Sequence, residues 1–497
     1  MMRALPLAVL LAGLSVVAGC ADADRAEKVV PPTVRAGGAP PSVEPAGAFG
    51  KEGWFGDADG LHARVAIRGV ERQAAKSVLR YSVTSLDSSV KSVPFEIALL
   101  DTAGRRLYKP TGTTSGSGFA PGTTREMAAD YPPIPATVSK VTAITPGTAG
   151  EFTGIPVAAA PATPSAPAAP SGTGVPPFSS ASPSGPVPSS PSVSSSPQVG
   201  AEPFLAAAPS PITTSPSAAS SPPSAVPGGN PVDLYDIVEV EGRTVSSSGS
   251  SVTVGLRSDA LFETRSAKPA SGAKAALDGV AQQIKGQAAG ALTLVAHADD
   301  AKVSGDRAQA LLNEMKTRLG SAFTYTANGR QDGDGVDITY QLKSTASASS
   351  QPASFRAQDG QKVASRTASF GAAKRRLEVK PFYRDGAYIV AVFDIVNEGP
   401  GTTPPDASYP NPAYPGGVFG SFSIQVPGKK DVYRAVRVGP PAPGRPTNYV
   451  DAGRAVFRTA VNEPVRGFVY LPAPPGNVTS VTLDAGPFGK VEKVSVS

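Results

Sequence analysis

Charged and titratable side chains are concentrated in one short stretch, VAHADDAKVSGDRAQALL, which runs from residue 295 to residue 312. Five of its polar residues fall within eleven positions, namely His297, Asp299, Asp300, Asp306 and Arg307. Carboxylates and guanidinium groups form strong charge-assisted hydrogen bonds, whereas a histidine could act as an acid, a base or a metal ligand. The only other histidine is the distant His62, so we expect no histidine-based metal site.

Signatures of enzyme active sites do not accompany this stretch. The chain has no Gly-x-Ser-x-Gly nucleophile elbow and no phosphate-binding loop. None of its carboxylate pairs stands in a context that would separate two pKa values for acid and base catalysis. We therefore expect no enzymatic activity and no cofactor.

The first twenty residues, MMRALPLAVLLAGLSVVAGC, predict export. Arg3 precedes an apolar stretch, 5–17, which is too short for a permanent transmembrane helix. The following Val17-Ala18-Gly19-Cys20 resembles the lipobox of bacterial lipoproteins. This implies that Cys20 is lipidated and holds an extracytoplasmic protein at the membrane. Cys20 is the only cysteine, which excludes an intrachain disulfide. The alternative is an ordinary secretory signal with an incidental cysteine.

Composition indicates where the remaining chain cannot fold. Residues 21–44 are polar and interrupted by proline, and residues 158–230 are nearly all Ala, Pro, Ser, Gly and Thr, so both segments are predicted to be disordered. The second segment could act as a spacer with a reach on the order of 200 Å. Residues 344–368 form a shorter polar linker. The net charge of +6 over 497 residues is too dilute to indicate nucleic-acid binding.

The two outer segments, 45–157 and 369–497, show the same alternation of apolar and polar residues. The apolar residues that correspond in the two segments are Phe95, Ile97 and Leu99 in the first, and Phe422, Ile424 and Val426 in the second. A period of two with Gly/Asp turns and without long helical stretches predicts antiparallel β-sandwiches. Both segments resemble small immunoglobulin-like domains, a resemblance that implies no activity.

The middle segment, 231–343, shows a different pattern. Alternating apolar residues predict strands at 252–256 and 336–342, and ALTLVAHA (291–298) is typical of a buried strand. Apolar positions at helical spacing predict one helix from Ala273 and another after Ser304 that ends at Gly320. The order strand, helix, strand, helix, strand predicts an α/β sandwich with one sheet face covered by helices.

This middle segment resembles the OmpA-like peptidoglycan-binding domain over about residues 250–343. Leu261-Phe262 stands where that family has a Leu-Phe pair before a loop. Ala296-His297-Ala298-Asp299 matches the end of its central strand, and the segment 303–308 (VSGDRA) matches the opening of its second helix. The resemblance implies a pocket for the diaminopimelate of a peptidoglycan stem peptide, whose free end carries an ammonium and a carboxylate.

Carried over from the family, Asp299 would bind the ammonium and Arg307 the carboxylate. Backbone amides near Ser304 to Arg307 would add positive potential at the helix start, and His297 would shape the corner. Purely structural roles are the alternative. Asp299 or Asp300 could begin a turn, Ser304 could cap the helix, and Arg307 could pair with Asp306.

Together these patterns predict a multidomain chain of two β-sandwiches flanking an α/β domain, joined by Pro/Ser/Ala-rich linkers. The leading functional hypothesis is a lipid-anchored, non-enzymatic envelope protein that links membrane to peptidoglycan. The rival is a scaffold lipoprotein that has lost wall binding and recruits other envelope proteins through its sandwiches. The acids Asp332 and Asp334, which follow Gly329-Arg330 where the family has a basic pair, favour the rival.

Overall fold

The computed structural model describes residues 49–57, 60–112, 117–158, 230–343, 351–401, 403, 407–440, 447–458 and 460–497. The predicted signal peptide with Cys20, the leash 21–44 and all but the ends of the linker 158–230 lie outside these residues. The part of the chain that the structure describes belongs to one compact unit, Gly47–Ser497. None of its helices is long and apolar enough to cross a membrane.

The prediction of a mostly β, multidomain chain is confirmed, because three hydrophobic cores are formed and most elements are strands. The first core lies in an N-terminal sandwich. Its strands are β1 (Phe49–Phe55), β2 (Leu61–Arg72), β3 (Ser77–Ser85), β4 (Lys91–Val93), β5 (Ala98–Asp101), β6 (Arg106–Tyr108), β7 (Ser117–Phe119), β8 (Thr124–Tyr131), β9 (Lys140–Ile144) and β10 (Glu151–Ala158). One sheet has the order β1-β2-β3-β8 and the other β10-β9-β5-β6, and their inner faces enclose the core.

The second core lies in the α/β domain. Its elements are β11 (Val232–Val240), β12 (Arg243–Ser248), β13 (Ser251–Leu256), α1 (Ser258–Leu261), α2 (Ala273–Gln287), β14 (Ala288–His297), α3 (Ala301–Leu319), a 3-10 turn (Gly320–Ala322), β15 (Thr324–Arg330) and β16 (Gly335–Leu342). The sheet order is β11-β12-β13-β16-β14-β15, and only β14 and β15 run parallel. Along β14, Leu292, Leu294 and Ala296 are buried while Thr293 is exposed, so α2 and α3 cover one face of the sheet.

The third core lies in a C-terminal sandwich. Its elements are β17 (Ala364–Phe370), β18 (Ala373–Val379), β19 (Tyr383–Asp385), β20 (Tyr388–Gly399), β21 (Phe422–Gln425), β22 (Val432–Arg434), β23 (Arg437–Val438), β24 (Asn448–Tyr449), β25 (Pro464–Pro472), β26 (Ser480–Ala485), β27 (Lys490–Ser495) and 3-10 turns at Arg454–Val456 and Gly486–Phe488. One sheet has the order β17-β18-β20-β25, with β19 also paired to β20. The other has the order β27-β26-β21-β22.

Strand β11 joins all three units by main-chain hydrogen bonding. Its first half pairs with β6 of the N-terminal sandwich and with β23 of the C-terminal one. Its second half pairs with β12 of its own domain and with β22 of the C-terminal sandwich. Both ends of the segment 158–230 therefore return to one compact unit. The segment does not hold the N-terminal sandwich and the α/β domain apart, which differs from the expectation of a spacer between them.

Residues 351–363, which the sequence assigns to the linker 344–368, pack between the two sandwiches; we call them the strap. The Phe355 ring lies 5.1 Å from the ring of Phe49 and 6.2 Å from that of Phe152. The main-chain oxygen of Ser354 accepts a 2.7 Å hydrogen bond from Thr153 Oγ1. A polar composition is compatible with this position because several polar groups of the strap, among them Ala353 N, Ser354 O and the Asp359 carboxylate, bond to partners in the sandwiches. Strand β17 then begins at Ala364, ahead of the predicted domain boundary.

Candidate functional site

A cavity of about 530 Å³ opens where β14 ends, beside the first turn of α3. The loop that follows α1 forms one wall, and the loop between β15 and β16 forms another. Asp299 and Arg307, the two residues given binding roles from the sequence, both line this cavity. The remaining lining residues are Ser258, Asp259, Phe262, Thr264, Arg265, Ala298, Asp300, Val303, Gly333 and Asp334.

Arg307 is buried and held in place by three groups. Its Nε donates a 2.9 Å hydrogen bond to the main-chain oxygen of Ser266. Its Nη1 donates to Ser258 Oγ and to Asp334 Oδ1, each at 3.2 Å. The guanidinium carbon lies 5.3 Å from the centroid of the Phe262 ring. Within the described ranges Nη2 has no partner, so one edge of a rigidly placed guanidinium remains available to a ligand.

Residues in and after α1 hold the guanidinium of Arg307 in place, and no role for them is predicted from the sequence. Ser258 is the first residue of α1, and Phe262 directly follows that helix. The loop then folds on itself, since Glu263 N donates to the Lys268 main-chain oxygen at 2.9 Å. This turn presents the Ser266 oxygen to Arg307. The pair Leu261-Phe262 is visible in the sequence, but the contact of Phe262 with Arg307 is a long-range one.

Asp299 is exposed at the mouth of the cavity. Its carboxylate makes no hydrogen bond or ion pair with any residue that the structure describes. In particular, it does not pair with Arg307, although both line one cavity. An unpaired carboxylate and a fixed guanidinium in one open cavity can together bind a ligand that carries both charges.

The start of α3 differs from the prediction. The helix begins at Ala301, and its N-cap is Asp300, whose carboxylate accepts a 2.8 Å hydrogen bond from Val303 N. Ser304 N already bonds to the Asp300 main-chain oxygen at 2.9 Å. The amides from Ser304 to Arg307 therefore lie within the helix and cannot bind a ligand, because only the first amides of a helix lack intrahelical partners. Any amide contribution must come from the first turn, at Ala301 and Lys302.

Ser304 and His297 do not line the cavity. Ser304 is buried, and its hydroxyl donates a 3.1 Å hydrogen bond to the main-chain oxygen of Ala301. It packs where β15 approaches α3 closely, since a Cβ on Gly329 would lie 2.8 Å from Ser304 Oγ. His297 Nδ1 lies 2.7 Å from Asp332 Oδ1. His297 thereby contacts the loop that carries Asp334.

The carboxylates near Arg307 do not pair as the sequence order suggests, with Arg307 bound to its neighbour Asp306. Asp306 bonds to Lys302 at 2.6 Å, one helical turn away, and leaves Arg307 to others. The partner of Arg307 is Asp334, which is distant in sequence and whose side chain is 71% exposed. The order of residues in the sequence predicts neither the pair of Lys302 and Asp306 nor the pair of Arg307 and Asp334. Asp334 lines the same cavity as Arg307.

A second group of buried charges lies between the two sandwiches; we call it the interface cluster. Arg466 makes two hydrogen bonds to Glu151, at 3.1 and 2.6 Å, and two to Asp359 of the strap, at 2.7 and 3.1 Å. Tyr383 also donates to Glu151 at 2.5 Å. The amine of Lys51 donates to the Glu151 main-chain oxygen at 2.6 Å.

The pKa shifts in the interface cluster show which interactions dominate. Burial alone would raise the pKa of Asp359, but Arg466, Lys380 and Lys51 together outweigh burial and lower the pKa to about 2. Burial likewise opposes ionisation of Glu151, yet Arg466 and Lys51 bring its pKa below the ordinary value. Burial lowers the pKa of Lys51 to about 8 despite Glu151 nearby. Since both carboxylates are held ionised by Arg466, the cluster is a structural connection between the sandwiches.

In the described ranges, no group of three or more His, Cys, Asp or Glu side chains is arranged to hold a metal ion.

Comparison with known proteins finds similarity to solved structures over about a fifth of the chain. The cell wall anchor of the T6SS from Pseudomonas aeruginosa is 22% identical, with 21% of this chain and 90% of that chain covered and a TM-score of 0.20. The periplasmic domain of Helicobacter pylori MotB is 13% identical, with 21% and 83% covered and a TM-score of 0.18. No family model and no curated protein matches the chain.

Proposed function

We propose that this chain is a non-enzymatic envelope lipoprotein that binds peptidoglycan through its α/β domain, which we take to be OmpA-like. The observation that supports this proposal is the cavity itself. A buried, three-point-held Arg307 and an exposed, unpaired Asp299 line the same opening. The immunoglobulin-like character of the two sandwiches and lipidation at Cys20 belong to the same proposal.

The ligand fits this arrangement by charge. The free end of diaminopimelate carries an ammonium and a carboxyl group on one carbon, so two opposite protein charges in one cavity can bind both. Asp299 binds the ammonium, and the open edge of Arg307 binds the carboxyl group. The guanidinium needs no reorganisation on binding, because Ser266 and Ser258 already hold it.

Because strand β11 is shared by the three units, it affects how such a protein would connect the membrane to the peptidoglycan. The N-terminal sandwich and the α/β domain form one body, so the segment 158–230 does not set their separation. The proposed link from membrane to cell wall therefore does not rely on the segment 158–230 as a spacer between these two units.

The test is co-sedimentation with purified peptidoglycan of the chain from residue 21 onward, because an isolated 231–343 fragment would lose the strands paired with β11. We expect Asp299→Ala to lower the affinity about tenfold or more, the usual size for a lost charge-assisted hydrogen bond. Asp299 is exposed, so the variant should fold normally. Asp306→Asn is the matched control, since Asp306 pairs with Lys302 outside the cavity. Unchanged binding by Asp299→Ala would reject the proposal.

A scaffold protein that recruits other envelope proteins is the second candidate, and the ion pair between Asp334 and Arg307 favours it. In that case Asp334 would be a permanent substitute for the ligand. The parent chain and Asp299→Ala would then sediment equally poorly with peptidoglycan, and Asp334→Ala would not restore binding. Restored binding in Asp334→Ala would instead show an intact receptor that its own carboxylate competes with.

A further inference from the structure

The cavity carries more negative than positive charge. Asp259 is neutralised by Arg257 outside the cavity, through a 3.0 Å hydrogen bond from Nε. That leaves three carboxylates, Asp299, Asp300 and Asp334, against the guanidinium groups of Arg265 and Arg307. A cavity with this balance favours a ligand end of net positive charge over one whose charges cancel.

The pair of Arg307 and Asp334 offers two different open hydrogen-bonding groups side by side. Arg307 Nη1 contacts Asp334 Oδ1 at 3.2 Å. Arg307 Nη2 and Asp334 Oδ2 are both without a hydrogen-bond partner in the described part of the chain, although Arg257 lies within electrostatic range of Asp334. The pair therefore presents an N–H donor next to a carboxylate acceptor.

A primary carboxamide matches both members of this pair, whereas a carboxylate matches only Arg307. The carboxamide oxygen accepts from Arg307, and its NH2 group donates to Asp334. A carboxylate could accept from Arg307, but its second oxygen would face Asp334, and two like charges repel at that distance. Amidation also changes the diaminopimelate end from net neutral to net positive, in agreement with the charge of the cavity.

We infer that the cavity is selective for peptidoglycan whose diaminopimelate carries an amidated side-chain carboxyl group. The inference rests on the proposed function and specifies its ligand. Asp299 still binds the ammonium, which both ligand forms share. Asp334, which lines the cavity, thus becomes the residue that determines specificity.

The test compares two synthetic tripeptides, L-Ala-γ-D-Glu-diaminopimelate with the side-chain carboxyl group either free or amidated, by calorimetry on the chain from residue 21 onward. We expect the amide to bind roughly fivefold more tightly, the upper range for one exposed charge pair. Asp334→Asn should remove this preference by improving affinity for the free acid, because an asparagine can donate to a carboxylate. Asp306→Asn should keep the preference of the parent.

The outcomes separate this inference from the proposed function. Equal or tighter binding of the free acid by the parent, with loss of binding in Asp299→Ala, overturns the selectivity and leaves peptidoglycan binding intact. A preference that Asp334→Asn does not change also overturns it. If neither tripeptide binds, both the selectivity and the proposed function are rejected.

Discussion

Arg307 and Arg466 are both largely buried arginines with carboxylate partners, but they differ in what surrounds the partner. The two partners of Arg466 are themselves buried, with side-chain exposures of 1% for Glu151 and 10% for Asp359. The carboxylate partner of Arg307, Asp334, is 71% exposed and lies on a loop. A guanidinium enclosed with its counterions holds structure together. One that is buried against an exposed counterion keeps the capacity to bind something else.

The largest effect is expected when the interface cluster loses the guanidinium of Arg466. Arg466→Met leaves Glu151 and Asp359 buried without their main cation, so we expect a loss of about 3–5 kcal/mol in the free energy of unfolding. Denaturant unfolding measures this loss. Arg434→Met is the control, because its partner Glu239 is 31% exposed and can be hydrated. An equal effect of the two substitutions would contradict the assignment of the interface cluster as a structural connection.

An intermediate effect is expected at Asp236 in β11, where a buried carboxylate has only one partner. Its Oδ2 lies 3.0 Å from Arg105 Nη1, and its Oδ1 has no partner among the described residues. Burial raises the pKa of Asp236 to about 6, against the attraction of Arg105. The charge of Asp236 in turn adds to the burial that raises the pKa of Tyr388.

Because the folded-state pKa of Asp236 lies above the unfolded value, its contribution to stability is complete below the unfolded value near pH 4 and is lost as pH rises through 6. We expect Asp236→Asn to remove this loss. The variant should gain on the order of 2–3 kcal/mol relative to the parent between pH 4 and pH 7.5. Unfolding free energies at both pH values measure the difference. Parallel pH profiles of parent and variant would show that Asp236 is ionised without cost.

The smallest effect is expected when Arg307, which keeps one open edge, loses one of its hydrogen-bond acceptors. Ser258→Ala removes one acceptor of Arg307 Nη1, so we expect about 1 kcal/mol of destabilisation and a few-fold weaker peptidoglycan binding. Thermal melting and co-sedimentation measure the two effects. Ser304→Ala is the matched control, because that hydroxyl bonds within α3 and does not line the cavity. Weaker binding in Ser304→Ala but not in Ser258→Ala would reverse the assignment.

Local patterns predicted the elements that carry the candidate site. The helix over α3 ends with Gly320 as its C-cap, as its apolar spacing and glycine predicted. The start of α3 lies four residues before the predicted one, because Asp300 and not Ser304 caps the helix. Strand β15 was not predicted, since it is an edge strand whose residues are mostly exposed and show weak apolar alternation.

Several contacts could not have been read from residue order. Asp306 neighbours Arg307 in sequence, yet Asp334 is the partner. The polar residues of the strap suggested a linker. Composition shows that a segment is polar, but it does not show whether hydrogen-bond partners from elsewhere in the chain are available to its polar groups. The sequence of strand β11 gives no indication that the strand pairs with four others.

The sequence by itself determined the periodic features of this protein, namely the β-rich flanks, the α/β pattern of the middle segment and the low-complexity segments. It also placed Asp299 just after β14 and Arg307 in the first half of α3. Only the tertiary structure decided that Arg307 pairs with Asp334, that Asp299 remains unpaired and that the three units form one body. The physical reason is that periodicity is local, whereas ion pairing and strand pairing depend on residues brought together from distant parts of the chain.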